Sequence, residues 1–116
     1  MILHICSRAD WSGRKGTAYR SSSLDSAGFV HCSDPGTAHL AANAHYAGRT
    51  DLVLLEIDPA RLDVPVRWEE GEPPHPAGIW FPHVYGPIGA HAVVAVHPFP
   101  PGPDGAFRLP ASLANR

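Results

Sequence analysis

Proline divides this chain into two parts. Of its 13 prolines, all but Pro35 lie at or after position 59 in a sequence of 116 residues. A proline inside a helix removes a backbone hydrogen bond and clashes with the preceding turn, at about 3 kcal/mol. The second part can therefore hold short strands joined by rigid loops, but no long helix. A helix of several turns has room only before it. Strands that mostly follow one helix, rather than alternate with helices, predict an α+β fold and not a doubly wound one.

The local patterns agree. Ile2-Leu3-His4-Ile5-Cys6 predicts a first strand, and residues 8–13 a short helix around Trp11. Ser21-Ser22-Ser23-Leu24-Asp25 offers helix caps, with Gly28 closing that turn. Residues 29–32 read as a second strand. Ser33-Asp34-Pro35 is a helix start, a capping side chain followed by proline in the first turn. The helix predicted there is the main one and runs to about Ala47. It places Ala38, Ala41, Ala42 and Tyr46 on one face, and His39 with Asn43 on another. Leu52-Val53-Leu54-Leu55-Glu56-Ile57 reads as a central strand buried on both faces. The alternation of Leu62, Val64 and Val66 predicts a strand within Arg61 to Trp68. Residues 69–78 form a polar, proline-rich loop. Ala92 to Val96 predicts another strong strand, and Phe107-Arg108-Leu109-Pro110 a final edge strand.

Length and composition fit one globular domain spanning 1–116, with 44% hydrophobic and 17% charged residues. A net charge of −2 argues against a nucleic-acid module that neutralises phosphates, although Arg14, Lys15 and Arg20 cluster locally. Cys6 and Cys32 make neither a disulfide framework nor a metal-binding pair, and read as buried thiols in a reducing cytosol. There is no basic segment followed by an apolar run at the start, and no apolar stretch near the ~20 residues of a membrane helix. The expected location is cytoplasmic, with no membrane partner.

Two short runs carry the chemistry: Gly28-Phe29-Val30-His31-Cys32-Ser33 and Phe81-Pro82-His83-Val84-Tyr85-Gly86. Each spends a strand position on imidazole, which costs free energy unless both ring nitrogens find partners or water. With His4 in the first strand, three histidines are candidates for one pocket. Against this stands a structural reading, in which the histidines and Tyr19 and Tyr85 form a buried polar network. Ser33 reads as a helix cap before it reads as a nucleophile. Glu69-Glu70-Gly71-Glu72 reads as a solvated loop, from which Glu69 can reach inward. His39, His45, His75, His91 and His97 read as peripheral. Metal binding needs three or four convergent ligands, and His39 and His45 stand six apart, so no metal site is expected. No phosphate loop, dinucleotide fingerprint or nucleophile elbow is present.

Taken together, Ile2-Leu3-His4-Ile5, Trp11, Tyr19 with Ser23-Leu24, the two histidine runs, Leu54-Leu55-Glu56-Ile57-Asp58 and Trp68-Glu69 resemble the family called domain of unknown function 952. The resemblance covers nearly the whole chain. That family is similar in fold to the ADP-ribosyltransferase superfamily, small split-sheet α+β domains that bind NAD in a cleft between two half-sheets. The resemblance implies a small-molecule, nucleotide-like ligand, with NAD as a substrate and no further cofactor. It implies His83, His31 and Glu69 in catalytic roles, and His4, Tyr19, Ser33 and Tyr85 as ligand contacts. The superfamily keeps a catalytic glutamate where Phe81–Gly86 stands here, and that stretch holds no acid. Two functions therefore follow as expectations: a divergent transferase acting on NAD or a related nucleotide or phosphorylated ligand, or a non-catalytic binding module that has lost the glutamate.

Overall fold

A computed structural model describes residues 1–114 apart from Lys15 and Thr17. Among these residues the elements follow one another as β1 (Ile2–Ser7), α1 (Arg8–Ser12), β2 (Ala18–Tyr19), α2 (Ser23–Ser26), β3 (Val30–His31), α3 (Ala38–His45), β4 (Leu52–Ile57), β5 (Val66–Glu70), β6 (Trp80–Val84), β7 (Ile88–Gly89), β8 (Val93–Pro98) and α4 (Ala111–Ala114). The fold is α+β with antiparallel sheets. β1-β4-β8 and β3-β6-β5 each form a three-stranded sheet, and β2 pairs with β7. The two larger sheets meet where Leu3 and Ser33 exchange backbone hydrogen bonds of 2.7 Å in both directions. Ser33 lies two residues beyond His31, so the chain passes directly from β3 to the free edge of β1.

β4 lies in the middle of its sheet, and each of its six residues is buried. Side chains alternate across a strand. Val53, Leu55 and Ile57 thus join Ile2, Cys6, Val30 and Val84 in one apolar cluster. Leu52 and Leu54 join Leu3, Ile5, Ala38 and Phe99 in a second, beneath α3. Two-sided burial explains why the Leu52–Ile57 run lacks polar alternation.

Four expected elements differ. Glu69 and Glu70, expected in a loop, end β5, where they pair with Phe81 and Trp80. α3 starts at Ala38, because Asp34 and Pro35 enter a turn in which the Asp34 carbonyl accepts from the N–H groups of Thr37 and Ala38. Ser33 is not its cap. Leu62 and Val64 do pack on the first cluster, but they precede the strand, after a single 3-10 turn at Pro59–Arg61. Their alternation reflects partial burial against that cluster, ahead of the paired strand. Phe107 to Pro110 forms no strand. The Asn43 side chain supplies what a neighbouring strand would have: its Oδ1 accepts from the Phe107 N–H at 2.7 Å and its Nδ2 donates to the Phe107 carbonyl at 3.1 Å. Asn43→Ala should therefore lower stability by about 2 kcal/mol, through two lost bonds to backbone groups. An unchanged urea midpoint would show that packing of the Phe107 ring alone holds this segment.

Gly86 closes the second histidine run for a steric reason. A Cβ there would stand 2.5 Å from Val64 Cγ1. No helix among the described residues is long and apolar enough to cross a membrane.

Candidate functional site: an imidazole-lined cavity beside the sheet seam

Register assembles the site. β3 sets His31 opposite His83 of β6, and β5 sets Arg67 opposite His83 and Glu69 opposite Phe81. Alternation then places His31, His83, Phe81, Arg67 and Glu69 on one face, while Val30 and Val84 enter the core on the other. The His31 and His83 rings lie 5.7 Å apart, nearly perpendicular at 80°. Phe29 stacks on His83 at 3.9 Å between ring centroids and meets His31 edge-on at 4.7 Å.

Glu69 Oε1 accepts from His83 Nδ1 at 3.0 Å and also from the Tyr85 hydroxyl. A carboxylate only accepts, so the His83 proton sits on Nδ1 and Nε2 is left for a ligand. The Tyr85 bond first, then the His83 bond, hold the Glu69 carboxyl below its ordinary range, and it is ionised at neutral pH. The same bond to Glu69 pushes the Tyr85 phenol upward. Burial, then the neighbouring His83 imidazole, lower His31. The Arg67 guanidinium lies 5.1 Å from the Tyr85 ring centre.

A cavity of about 370 Å³ opens beside these groups. It spans the seam between the sheets: Ile5 comes from β1, His31 and Ser33 from β3 and its extension, Leu40 from α3, Phe81 and His83 from β6, and Pro73, Pro74 and Pro76 from the β5–β6 loop. Such a volume falls within the range of small-ligand sites. Glu69, Tyr85 and Phe29 line a shallower groove next to it, and His83 belongs to both.

Of the residues singled out in the sequence, His31, His83 and Ser33 line the cavity, and Glu69 and Tyr85 join His83 in the adjoining groove. His4 and Tyr19 do not. Both are buried against the first apolar cluster, on the opposite face of β1 from Ile5. His4 Nδ1 donates to the His31 carbonyl at 2.6 Å, and its Nε2 accepts from the Tyr19 hydroxyl at 3.1 Å. Burial pushes His4 down to about 4, so the ring is neutral. The expected meeting of three histidines is corrected to two, with His4 acting behind the cavity wall on the His31 backbone.

Other residues enter unannounced. His45 and His75, expected to be peripheral, line the cavity. Phe29, two residues before His31, stands at the bend that leads into β3, and its ring reaches both His31 and His83. His97, also expected at the periphery, is buried: its Nε2 lies 2.8 Å from Glu56 and its Nδ1 2.9 Å from Ser112 Oγ, pinning α4 to the sheet. Of the basic cluster, Arg14 stacks on Trp11, Arg20 pairs with Asp25, and Lys15 lies outside the described residues. Among the described residues no group of three or more histidine, cysteine or acidic side chains is placed to hold a metal ion.

Comparison with known proteins gives the chain a family. No curated protein matches it. The crystal structure of protein CC0527 from Caulobacter crescentus is similar to it at 30% identity, with 97% of each chain covered and a TM-score of 0.83. The solution NMR structure of CC0527 gives 29% identity, 99% of this chain, 97% of that one and a TM-score of 0.74. The model of the family described as "Protein of unknown function (DUF952)" matches residues 5–96, and with four-fifths of its length inside that match the chain belongs to this family.

Proposed function

We propose that the cavity takes NAD or a related nucleotide or phosphorylated ligand, and that Glu69 and Tyr85 flank the ligand's reacting end in a transferase of the ADP-ribosyl type. The observation that carries this reading is the position of Glu69. Phe81–Gly86 contains no acid, yet the neighbouring strand β5 delivers a carboxylate onto that stretch, within hydrogen-bond reach of both His83 and Tyr85. Both bonds fall on Oε1, which leaves Oε2 for a substrate. An ionised carboxylate beside a ribosyl carbon stabilises the positive charge that develops as a glycosidic bond breaks. In that step the ribosyl–nicotinamide C–N bond breaks, neutral nicotinamide leaves with the bonding pair, an acceptor nucleophile bonds to the ribosyl carbon, and its proton passes to a base. His83 serves as that base or as a phosphate contact. The stacked Phe29 ring and Phe81 supply flat apolar surface for a base or nicotinamide ring.

A second reading, a binding module without turnover, is favoured by one observation. Glu69 lines the outer groove and not the deep cavity, and one of its oxygens is already committed. Calorimetric titration with NAD and ADP-ribose, followed by an assay for released nicotinamide, separates the two. Binding with release supports the transferase. Binding without release supports the module, and absence of binding to either compound overturns both.

A further inference from the structure

The cavity has an unusual charge inventory. Four histidines line it, His31, His45, His75 and His83, and no lysine or arginine does so among the described residues. They come from four separate places: β3, the last turn of α3, the β5–β6 loop and β6. Glu72 is the one carboxylate in the lining. A phosphate-type anion entering a largely apolar cavity must be met by donors or positive charge. Among the described lining side chains only imidazole can supply positive charge, and the Ser33 and Tyr46 hydroxyls add donors.

The ring nitrogens are not equivalent. His75 Nδ1 accepts from the Ala77 N–H at 3.1 Å, so its proton is on Nε2 and that nitrogen is already a donor. His83 is the reverse. Its Nδ1–H donates to Glu69, so Nε2 of the neutral ring is a bare lone pair that repels an anion. Only a proton gained at Nε2 turns it into a donor, and Glu69 is in place to compensate the resulting imidazolium. We infer that the cavity recognises the phosphate-type anion of its ligand with imidazoles as its cationic groups, and that capture takes up a proton at His83 Nε2. This rests on the reading of the cavity as a ligand site and names the ligand group that the site selects.

The surroundings support it. His83 faces His31 from β3, Arg67 and Glu69 from β5, and Tyr85 just beyond the end of β6. His31 faces His83 from β6, His45 from α3 and Glu72 from the loop. Burial and the imidazole neighbours disfavour charge on His31, while Glu72 favours it. Charge on His31 is thus disfavoured in the empty cavity, and an anion beside it would favour that charge. A neutral ligand gains nothing from lower pH.

The test uses the whole chain and calorimetry at pH 6 and pH 8, in two buffers of different ionisation enthalpy. The probes are ADP-ribose and inorganic sulfate, whose charges are constant over that range, and adenosine, which is neutral. ADP-ribose should bind at least about tenfold tighter at pH 6, with net proton uptake, while adenosine shows no pH dependence. His83→Gln should remove most of the pH dependence and the matching proton uptake, and His45→Gln with His75→Gln should weaken ADP-ribose several-fold at pH 6 but leave adenosine unchanged. Should His83→Gln fail to fold, the proton count on the unaltered chain decides. ADP-ribose binding of equal strength at both pH values overturns the inference and leaves the nucleotide reading intact. Sulfate binding with proton uptake, without ADP-ribose binding, supports the inference and overturns the nucleotide reading. No anion binding at pH 6 overturns the inference.

Discussion

Glu69→Gln should reduce nicotinamide release from NAD by a factor of about 100 or more, while ADP-ribose binding changes by no more than about threefold. The amide keeps the shape of the side chain and, through its one oxygen, its capacity to accept from His83 and Tyr85, but it loses the negative charge and carries an NH2 donor in place of Oε2. Charge matters at the transition state and little in the ground state, so the loss falls on kcat. The pH profile carries a second signature. Tyr85, then His83, hold the Glu69 carboxyl below its ordinary range, so the acid limb of the rate should lie below that of a free glutamate. Tyr85→Phe removes the larger of those two influences and should move the limb upward in pH without abolishing activity. A Glu69→Gln variant with full turnover would assign the chemistry to a different group.

Acid should unfold the protein earlier than its carboxylates alone dictate. His4 is buried and neutral, pushed from 6.5 down to about 4 chiefly by desolvation. Between those values the unfolded chain binds more protons than the folded one. The stability His4 contributes is therefore complete above pH 6.5, is lost as pH falls towards 4, and changes no further below. The depression corresponds to roughly 3 kcal/mol. His31, lowered in the same direction, adds to the slope. Urea midpoints measured from pH 7 to pH 4.5 should fall steeply for the unaltered chain. His4→Asn keeps a donor for the His31 carbonyl and cannot titrate, so its curve should start lower and run flatter. Parallel curves would place the acid sensitivity outside His4.

The histidine runs and the apolar strands were legible because their signals are local. β1, β4 and β8 each announce themselves by composition, and two-sided burial of β4 is written in its unbroken apolar run. The faces were harder. His4 and His31 both sit in apolar strands, but whether they share a pocket depends on how β1 and β3 meet across the Leu3–Ser33 bridge, a contact between residues 30 apart. Glu69 looked like part of a loop because the acidic residues around it mask a strand. Its role depends on a register that pairs it with Phe81. His45 and His75 gave no local sign at all, since a long proline-rich loop and the end of a helix come together only in the tertiary fold. Phe107 misled in another way: a side-chain amide, Asn43, satisfies its backbone in place of a strand.

The most direct test of the cavity as a ligand site is a nuclear magnetic resonance titration that follows the ring signals of the histidines as ADP-ribose is added. His31 and His83 should shift together, with His45 and His75, while His4 and His97, held in the core by His31, Tyr19, Glu56 and Ser112, stay in place. Saturating ADP-ribose that leaves the His31 and His83 signals unmoved would contradict the reading of the cavity as a ligand site.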